Sequence, residues 1–155
     1  AFATGKGDAA EWIARLNLRT GAARVQTLAE GSNVEFPQID PRRVGLAARW
    51  LVMPAGWARR EALQFSGVQV VDTHSGAVQR FDYGGDFLPE EHIVVPRPGS
   101  TQELDGWLLA TAYHLPSKRH SVSCFDARRV PDGPIARAWL PYGLPLGFHG
   151  SFAAA

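Results

Sequence analysis

The chain has 155 residues, of which 45% are hydrophobic and 20% charged, a composition typical of one globular domain and not of a disordered segment. Its 16 basic and 15 acidic side chains leave a formal net charge of +1, and the basic residues are scattered singly or in pairs, which excludes the charge pattern of a nucleic-acid-binding protein. No apolar stretch of the sequence approaches the roughly 20 residues that a membrane-spanning helix needs.

Short runs rich in β-branched and aromatic residues recur along the chain, and turns marked by the 11 prolines and 16 glycines separate them. These runs predict an all-β fold in which only Glu11 to Leu16 could compete as a helical turn. The predicted strands, in chain order, are residues 12–18, 23–28, 33–40, 48–53, 62–72, 77–83, 92–97, 106–114, 121–126 and 135–140.

A strand, tight turn, strand pattern occurs in three places along the sequence. Residues 16–25 resemble residues 70–79 and, more loosely, residues 125–137. A glycine occupies each turn, where its freedom to adopt positive φ is needed, and successive turn glycines are 55 and 57 residues apart. That period predicts the four-stranded blades of a β-propeller. The turn glycines are Gly21, Gly76 and Gly133.

Ionisable residues follow the three turn glycines at nearly constant distances. Glu35, Glu91 and His149 come 14, 15 and 16 residues after their respective glycines. Equivalent positions in successive blades lie on a ring around the propeller axis, so these side chains are expected to point toward one another. A histidine and two carboxylates on an axis predict a metal site with its surroundings. The alternative is two solvent-exposed turn carboxylates and a surface histidine.

Four short motifs, in order and with consistent spacing, resemble one known family. They are Val-Glu-Phe-Pro-Gln-Ile-Asp at 34–40, Glu-His-Ile-Val-Val-Pro-Arg at 91–97, Asp-Gly-Trp-Leu-Leu at 105–109 and Leu-Pro-Leu-Gly-Phe-His-Gly at 144–150. Together they resemble the C-terminal third of the carotenoid cleavage oxygenases, which include the lignostilbene dioxygenases. The similarity spans roughly residues 17–152.

The resemblance implies that residues 1–155 are the C-terminal fragment, about three blades, of a single seven-bladed β-propeller domain without a separate second domain. Such a propeller holds one non-haem Fe²⁺ on its axis by four histidines. His149 matches the last of these, and the other three would lie upstream of Ala1. Glu35 and Glu91 match glutamates that accept hydrogen bonds from the far ring nitrogens of ligand histidines and so fix their orientation.

The implied reaction is O₂-dependent cleavage of a carbon-carbon double bond in a carotenoid, apocarotenoid or stilbenoid, giving two carbonyl products. The partners would be O₂ and an apolar conjugated substrate, with no nucleic acid, and residues 1–155 alone are expected to be inactive. Phe36 and Phe148 are candidates for the lining of the substrate tunnel, with ordinary core packing as the alternative. The sequence leaves membrane association open because it shows no amphipathic apolar patch or helix.

The chain departs from the family pattern at two positions. His92 stands where the family usually has proline, and strand alternation predicts that it faces away from the metal if Glu91 faces toward it. Leu104 precedes Asp105 where the family favours two acidic residues, which does not affect the metal site.

The remaining histidines and the single cysteine are predicted to have no role in chemistry. His74, His114 and His120 lie in or beside turns, so the sequence favours exposed positions for all three. Cys124 lies in an alternating run and is predicted to pack in the core. A lone cysteine also favours a reducing compartment such as the cytoplasm.

Two other functional classes compete with the oxygenase. A glycosidase is disfavoured because Glu90 and Glu91, as neighbours on a strand, are expected to face opposite sides. The context of Ser151 lacks the Gly-x-Ser-x-Gly motif of a nucleophilic serine hydrolase. A non-catalytic propeller that only binds a partner stays open as the stronger alternative.

Overall fold

A computed structural model describes residues 11–28, 32–56 and 65–153. Within these ranges the chain forms strands and two short 3-10 helices, Pro41–Arg43 and Val130–Asp132. The described residues contain no helix long and apolar enough to cross a membrane. The strands are β1 Glu11–Leu16, β2 Ala23–Leu28, β3 Asn33–Val34, β4 Trp50–Gly56, β5 Gly67–Asp72, β6 Val78–Asp82, β7 Phe87–Pro96, β8 Gly106–His114, β9 Arg119–Asp126 and β10 Ala136–Trp139.

All pairings between these strands are antiparallel, and within each sheet sequential strands are neighbours. β1 and β2 form a hairpin, β3 to β6 form one four-stranded sheet, and β7 to β10 form another. A four-stranded antiparallel meander is the unit of a β-propeller blade. The all-β prediction is therefore confirmed, and the Glu11–Leu16 run forms a strand and not a helical turn.

The predicted turn glycines all have positive φ, with values of 72°, 75° and 82° for Gly21, Gly76 and Gly133. The first two close tight hairpins, since Gly21 N donates to Asn17 O and Gly76 N donates to Asp72 O, both at 2.8 Å. Gly133 instead follows the second 3-10 helix, so the third repeat has a longer connection.

Three predicted strands differ from the observed ones by five or more residues at one end. The strand expected at 92–97 begins earlier, at Phe87. The strand expected at 33–40 ends at Val34, because Phe36 adopts a left-handed φ of 48° and Pro37 has no N–H to donate. Gln38 then makes an isolated bridge to Val52. The strand expected at 62–72 begins at Gly67, and residues 62–64 lie outside the described part of the chain.

The main hydrophobic core lies between the two four-stranded sheets. Alternate residues of β8 are buried, as expected for a strand with one face toward a core. The core side chains come from both sheets and from the connections after β6, β7 and β9, and burying them removes a large apolar area from water. They are Val52, Val68, Val70, Tyr83, Val94, Leu104, Leu108, Ala112, Phe125, Ala127 and Val130.

A β-bulge interrupts the pairing of β7 with β8. Pro89 pairs with Ala112 and His92 pairs with Ala110, so Glu90 and Glu91 together oppose Thr111. The bulge cancels the alternation of side chains at this point. The prediction that Glu90 and Glu91 face opposite sides is therefore wrong, because both carboxylates bond the same segment of the chain, residues 147–150.

His92 follows the bulge and points into the core, which confirms that it is a structural residue. It is fully buried, its Nδ1 contacts the carbonyl of Glu90 at 2.9 Å, and its Nε2 lies 3.0 Å from the hydroxyl of Tyr83. Because a carbonyl only accepts, Nδ1 carries the proton and Nε2 accepts from Tyr83. The His92 side chain thus holds the bulged backbone that places Glu90 and Glu91.

Burial lowers the pKa of His92 to about 4, although its hydrogen bond to Glu90 opposes this shift. An unfolded histidine titrates near 6.5, so the unfolded chain takes up a proton between pH 6.5 and 4 that the folded chain does not. We therefore expect the contribution of His92 to the free energy of unfolding to be complete above pH 6.5. It should fall by about 3 kcal/mol as the pH drops toward 4. The unfolding free energy, measured in urea across this pH range, should change less steeply with pH in His92→Asn than in the wild type. Equal slopes would contradict the assignment of His92 as a histidine that is buried and neutral in the folded chain.

Candidate metal-binding site

His149 lies in a segment without regular structure that follows β10 and passes over the outer side of β7. This His149 segment, defined as residues 144–150, is solvent-exposed throughout. Gly150 N donates to Glu91 Oε2 at 2.6 Å, and a Cβ at Gly150 would lie only 2.9 Å from Cδ1 of Ile93. A larger residue at position 150 would therefore require the end of the Ile93 side chain to shift.

The Glu91 carboxylate connects three distant parts of the chain. It is almost fully buried, with 4% of its side chain exposed. Its Oε1 accepts from Gln38 Nε2 and from His149 Nδ1, the latter at 3.2 Å, and its Oε2 accepts from Gly150 N. A buried carboxylate is costly unless donors satisfy it, and these donors do so while fixing the position of His149.

The His149 imidazole is oriented so that one nitrogen is held and the other is available. Since the Glu91 carboxylate accepts, Nδ1 carries the proton and Nε2 presents its lone pair. The side chain is 72% exposed, so Nε2 is accessible to a ligand outside the described residues. A carboxylate behind the far nitrogen is the arrangement that metal-bound histidines use to fix their tautomer and raise their basicity.

Phe36 packs edge-on against the His149 ring, with centroids 5.3 Å apart and an interplanar angle of 83°. It also contacts Phe148 edge-on at 6.0 Å. The left-handed backbone at Phe36 stores strain of order 1 kcal/mol, which is tolerated where the neighbouring structure dictates the conformation. The two predicted tunnel residues therefore lie together beside His149, one half-buried and the other exposed.

A cavity of about 200 Å³ lies under the His149 segment against the outer face of the second four-stranded sheet. Its wall is mostly apolar and comes from β7, β8 and β9 together with the segment itself. Ile93, Leu109 and Val122 form the floor, and Phe148 and His149 belong to the opposite wall.

Glu35 is not joined to this group of residues. It is exposed, its backbone N–H lies 3.5 Å from the carbonyl of Pro54, and its carboxylate has no hydrogen bond to another residue in the described ranges. Its assignment as a partner of a ligand histidine stays a prediction. Of the three positions that the repeat predicted to converge, the structure brings Glu91 and His149 into contact.

The residues that the structure describes contain no group of three or more His, Cys, Asp or Glu side chains able to hold a metal together. His149 therefore offers a single imidazole ligand. Specific binding of a transition metal at Nε2 needs further ligands from elsewhere.

Sequence reasoning missed two polar residues of the site and misplaced a third. Gln38 lies in the motif at 34–40, but only its bridge to Val52 brings it to Glu91. Strand alternation predicts that Glu90 faces away from the site, and the bulge cancels that alternation. His120 is fully buried, so its predicted exposure is wrong, while His74 is exposed and His114 is half-buried against Phe87.

Comparisons with known proteins agree with the motifs. The sequence model of the family described as retinal pigment epithelial membrane protein, RPE65, matches residues 4–154. Apocarotenoid-15,15'-oxygenase from Synechocystis sp. is 32% identical over 119 residues, which cover 77% of this chain and 24% of that protein. Lignostilbene-alpha,beta-dioxygenase isozyme III from Sphingomonas paucimobilis is 30% identical over 130 residues, covering 78% of this chain and 26% of that protein.

The fold is also similar to a solved structure. The crystal structure of cobalt-substituted Synechocystis ACO matches with a TM-score of 0.86 at 28% identity, over 93% of this chain and 30% of that one. The chain thus spans about a quarter of the length of the two relatives compared by sequence.

Proposed function

Because the chain belongs to the RPE65 family of carotenoid oxygenases, we propose that it is part of a non-haem iron(II) dioxygenase that cleaves a carbon-carbon double bond to two carbonyl products. The substrate class is an apolar conjugated molecule: a carotenoid, an apocarotenoid or a stilbenoid. The observation that carries the proposal is the contact of 3.2 Å between His149 Nδ1 and the buried Glu91 carboxylate. Metal-ligating histidines almost always donate their second ring N–H to a carboxylate, a backbone carbonyl or water, and His149 donates to Glu91.

His149 can supply one of the four ligands of an all-histidine iron site. Imidazole is a suitable ligand for iron, and the exposed Nε2 of His149 is the atom that would bind it. We propose that three further histidines, encoded upstream of Ala1, complete the ligand set and that Glu35 orients one of them. An exposed carboxylate beside the edge strand β3 is in keeping with a partner from another part of a larger protein.

Ferrous iron, when bound, supplies the redox chemistry that activates O₂ beside the alkene. The residues of this chain then bind the metal, orient its histidine ligand and exclude water from the site. Glu91 keeps the His149 proton on Nδ1 and offsets part of the positive charge of the metal. Phe36 and Phe148 provide aromatic walls beside the ligand, suited to an apolar substrate.

The larger architecture proposed is a seven-bladed propeller of which residues 1–155 supply about three blades, as one domain. The two four-stranded sheets and the β1–β2 hairpin support that number. Cys124 is only partly buried and belongs to neither core cluster of the described residues, so the prediction that it packs in the core is wrong. Burial nevertheless raises the pKa of its thiol, which disfavours a reactive cysteine. That the sequence has a single cysteine supports a reducing compartment such as the cytoplasm.

The test uses the protein in its full encoded length. Purified protein should contain close to one iron per chain and should convert a hydroxystilbene or an apocarotenal to two carbonyl products only when O₂ is present. Incorporation of ¹⁸O from ¹⁸O₂ into the products identifies the oxygenase chemistry. A propeller that only binds a partner is the alternative, and iron-free protein that leaves every such alkene intact would favour it.

A further inference from the structure

Glu90, the neighbour of Glu91 in the bulge, makes its own set of contacts with the His149 segment. Its Oε1 accepts from Gly147 N at 2.7 Å, and its Oε2 accepts from the hydroxyl of Thr111. Only 11% of the Glu90 side chain is exposed. A largely buried carboxylate that accepts a backbone N–H forms a charge-assisted hydrogen bond, one of the stronger kinds in proteins.

His120 holds the same segment from its other end. It is fully buried on β9, and its Nδ1 accepts from Leu144 N at 2.8 Å. Because Nδ1 accepts, the proton of the neutral ring is on Nε2. That nitrogen lies 3.7 Å from Glu90 Oε1 and has no hydrogen-bond partner within the described part of the chain.

The unpaired Nε2–H of His120 has a physical consequence. A buried donor without an acceptor is unfavourable, and the side of the ring that carries it faces the Glu90 carboxylate. Tyr113 packs on the His120 ring with centroids 5.0 Å apart, which restricts other orientations of the imidazole. His120 and Glu90 thus lie side by side without a hydrogen bond between them, and each bonds the His149 segment separately, His120 from β9 and Glu90 from the β7 bulge.

We propose that Glu90 and His120 are positioning residues for His149: they hold the backbone at Gly147 and Leu144 and so set where the His149 ring lies. This inference rests on the proposed function, since it concerns the ligand of that metal site. Glu91 fixes the rotation of the ring, whereas Glu90 and His120 fix the path of the chain that carries it.

The need for such a pair follows from the segment itself. Residues 144–150 have no regular secondary structure and are exposed throughout, so strand pairing and core packing do little to position them. Loops of this kind move on fast timescales unless specific bonds hold them. A displacement of about 1 Å at a ligand atom is enough to spoil metal geometry or catalysis.

The experiment uses Glu90→Ala and Glu90→Gln in the full-length protein, reconstituted with Fe²⁺ and separately with Co²⁺. Glu90→Ala removes the acceptor for Gly147 N, whereas Glu90→Gln retains an acceptor oxygen at that position. His120→Ala tests the other anchor because it removes the acceptor for Leu144 N, whereas the side-chain oxygen of His120→Asn can still accept from it. The matched control is Glu103→Ala, because Glu103 has a similarly buried side chain, 12% exposed, and accepts the backbone N–H groups of Arg49 and Trp50.

We expect Glu90→Ala to weaken metal binding by about 10- to 100-fold and to alter the visible absorption of bound Co²⁺. His120→Ala should have a similar effect, whereas Glu90→Gln and His120→Asn should each keep most of the wild-type affinity. Glu103→Ala should lower the melting temperature by a similar amount to Glu90→Ala yet leave the Co²⁺ spectrum and affinity unchanged. Wild-type affinity and spectrum in Glu90→Ala would overturn the proposal.

A readout independent of metal separates this proposal from the proposed function. In metal-free protein, hydrogen exchange at the amides of Leu144 and Gly147 should accelerate in Glu90→Ala and not in Glu103→Ala. If wild-type protein binds no metal, the proposed function fails, and unchanged exchange in Glu90→Ala would independently show that the pair does not position the segment.

Discussion

Replacing His149 by alanine in the full-length protein should abolish both bound iron and alkene cleavage. The change removes one of the proposed ligands and leaves Glu91 in place behind an empty position. Substituting a residue that hydrogen-bonds a metal ligand already lowers metal affinity by about 10- to 100-fold. Loss of the ligand itself should therefore lower it by at least about 100-fold. Iron per chain, measured on protein purified without added metal, and the rate of O₂-dependent product formation check this expectation.

His74→Ala is the matched control for that substitution. His74 is an exposed histidine in the β5–β6 turn and lies outside the proposed site, so its loss should change neither iron content nor rate. Added imidazole should restore part of the metal binding of His149→Ala, because it can occupy the vacated ligand position. Full iron content in His149→Ala would contradict the ligand assignment.

Glu91→Gln should weaken metal binding by about 10- to 100-fold and destabilise the fold by about 1–3 kcal/mol. Three N–H donors, from Gln38, His149 and Gly150, converge on this carboxylate, and an amide has one acceptor oxygen and a donor group. If the NH₂ group of the new amide points toward His149, Nδ1 of the ring must accept and the proton moves to Nε2, which can then no longer bind metal. If the NH₂ group points toward Gly150 instead, it faces the backbone N–H of Gly150, and two donors oppose each other.

The measurements for Glu91→Gln are metal affinity by competition with a chelator and unfolding free energy in urea. Glu103→Gln is the control, because the Glu103 carboxylate likewise accepts more than one N–H group, here those of the Arg49 and Trp50 backbone, but does not contact His149. We expect the control to lose some stability with unchanged metal affinity. Equal metal affinities for Glu91→Gln and wild type would mean that Glu91 serves the fold alone.

Much of the fold was predictable because strand patterns are local. Alternation and turn residues located most of the strands, and the repeat of Gly21, Gly76 and Gly133 predicted units of blade size. Errors occurred where a local irregularity changed the pattern. The left-handed Phe36 ended a strand early, and the β7 bulge placed Glu90 beside Glu91 on one face.

The site was predictable in part for a related reason. His149 and Glu91 stood in motifs, and motifs are visible in a single sequence. His120 and Gln38 could not be found this way, because their contacts depend on distant segments: Gln38 reaches Glu91 through a bridge to Val52, and His120 is buried only when the chain after β10 passes over it.

By itself, then, the sequence determined the all-β class, the approximate strands, the family resemblance and the identity of His149 and Glu91 as candidates. These depend on residue type and on spacing along the chain, which a sequence contains in full. Only the tertiary structure decided that Glu90 and Glu91 both bond the His149 segment and that His120 is buried beside them. A one-residue bulge reverses which side of a sheet a side chain faces, and that reversal depends on pairing with another strand.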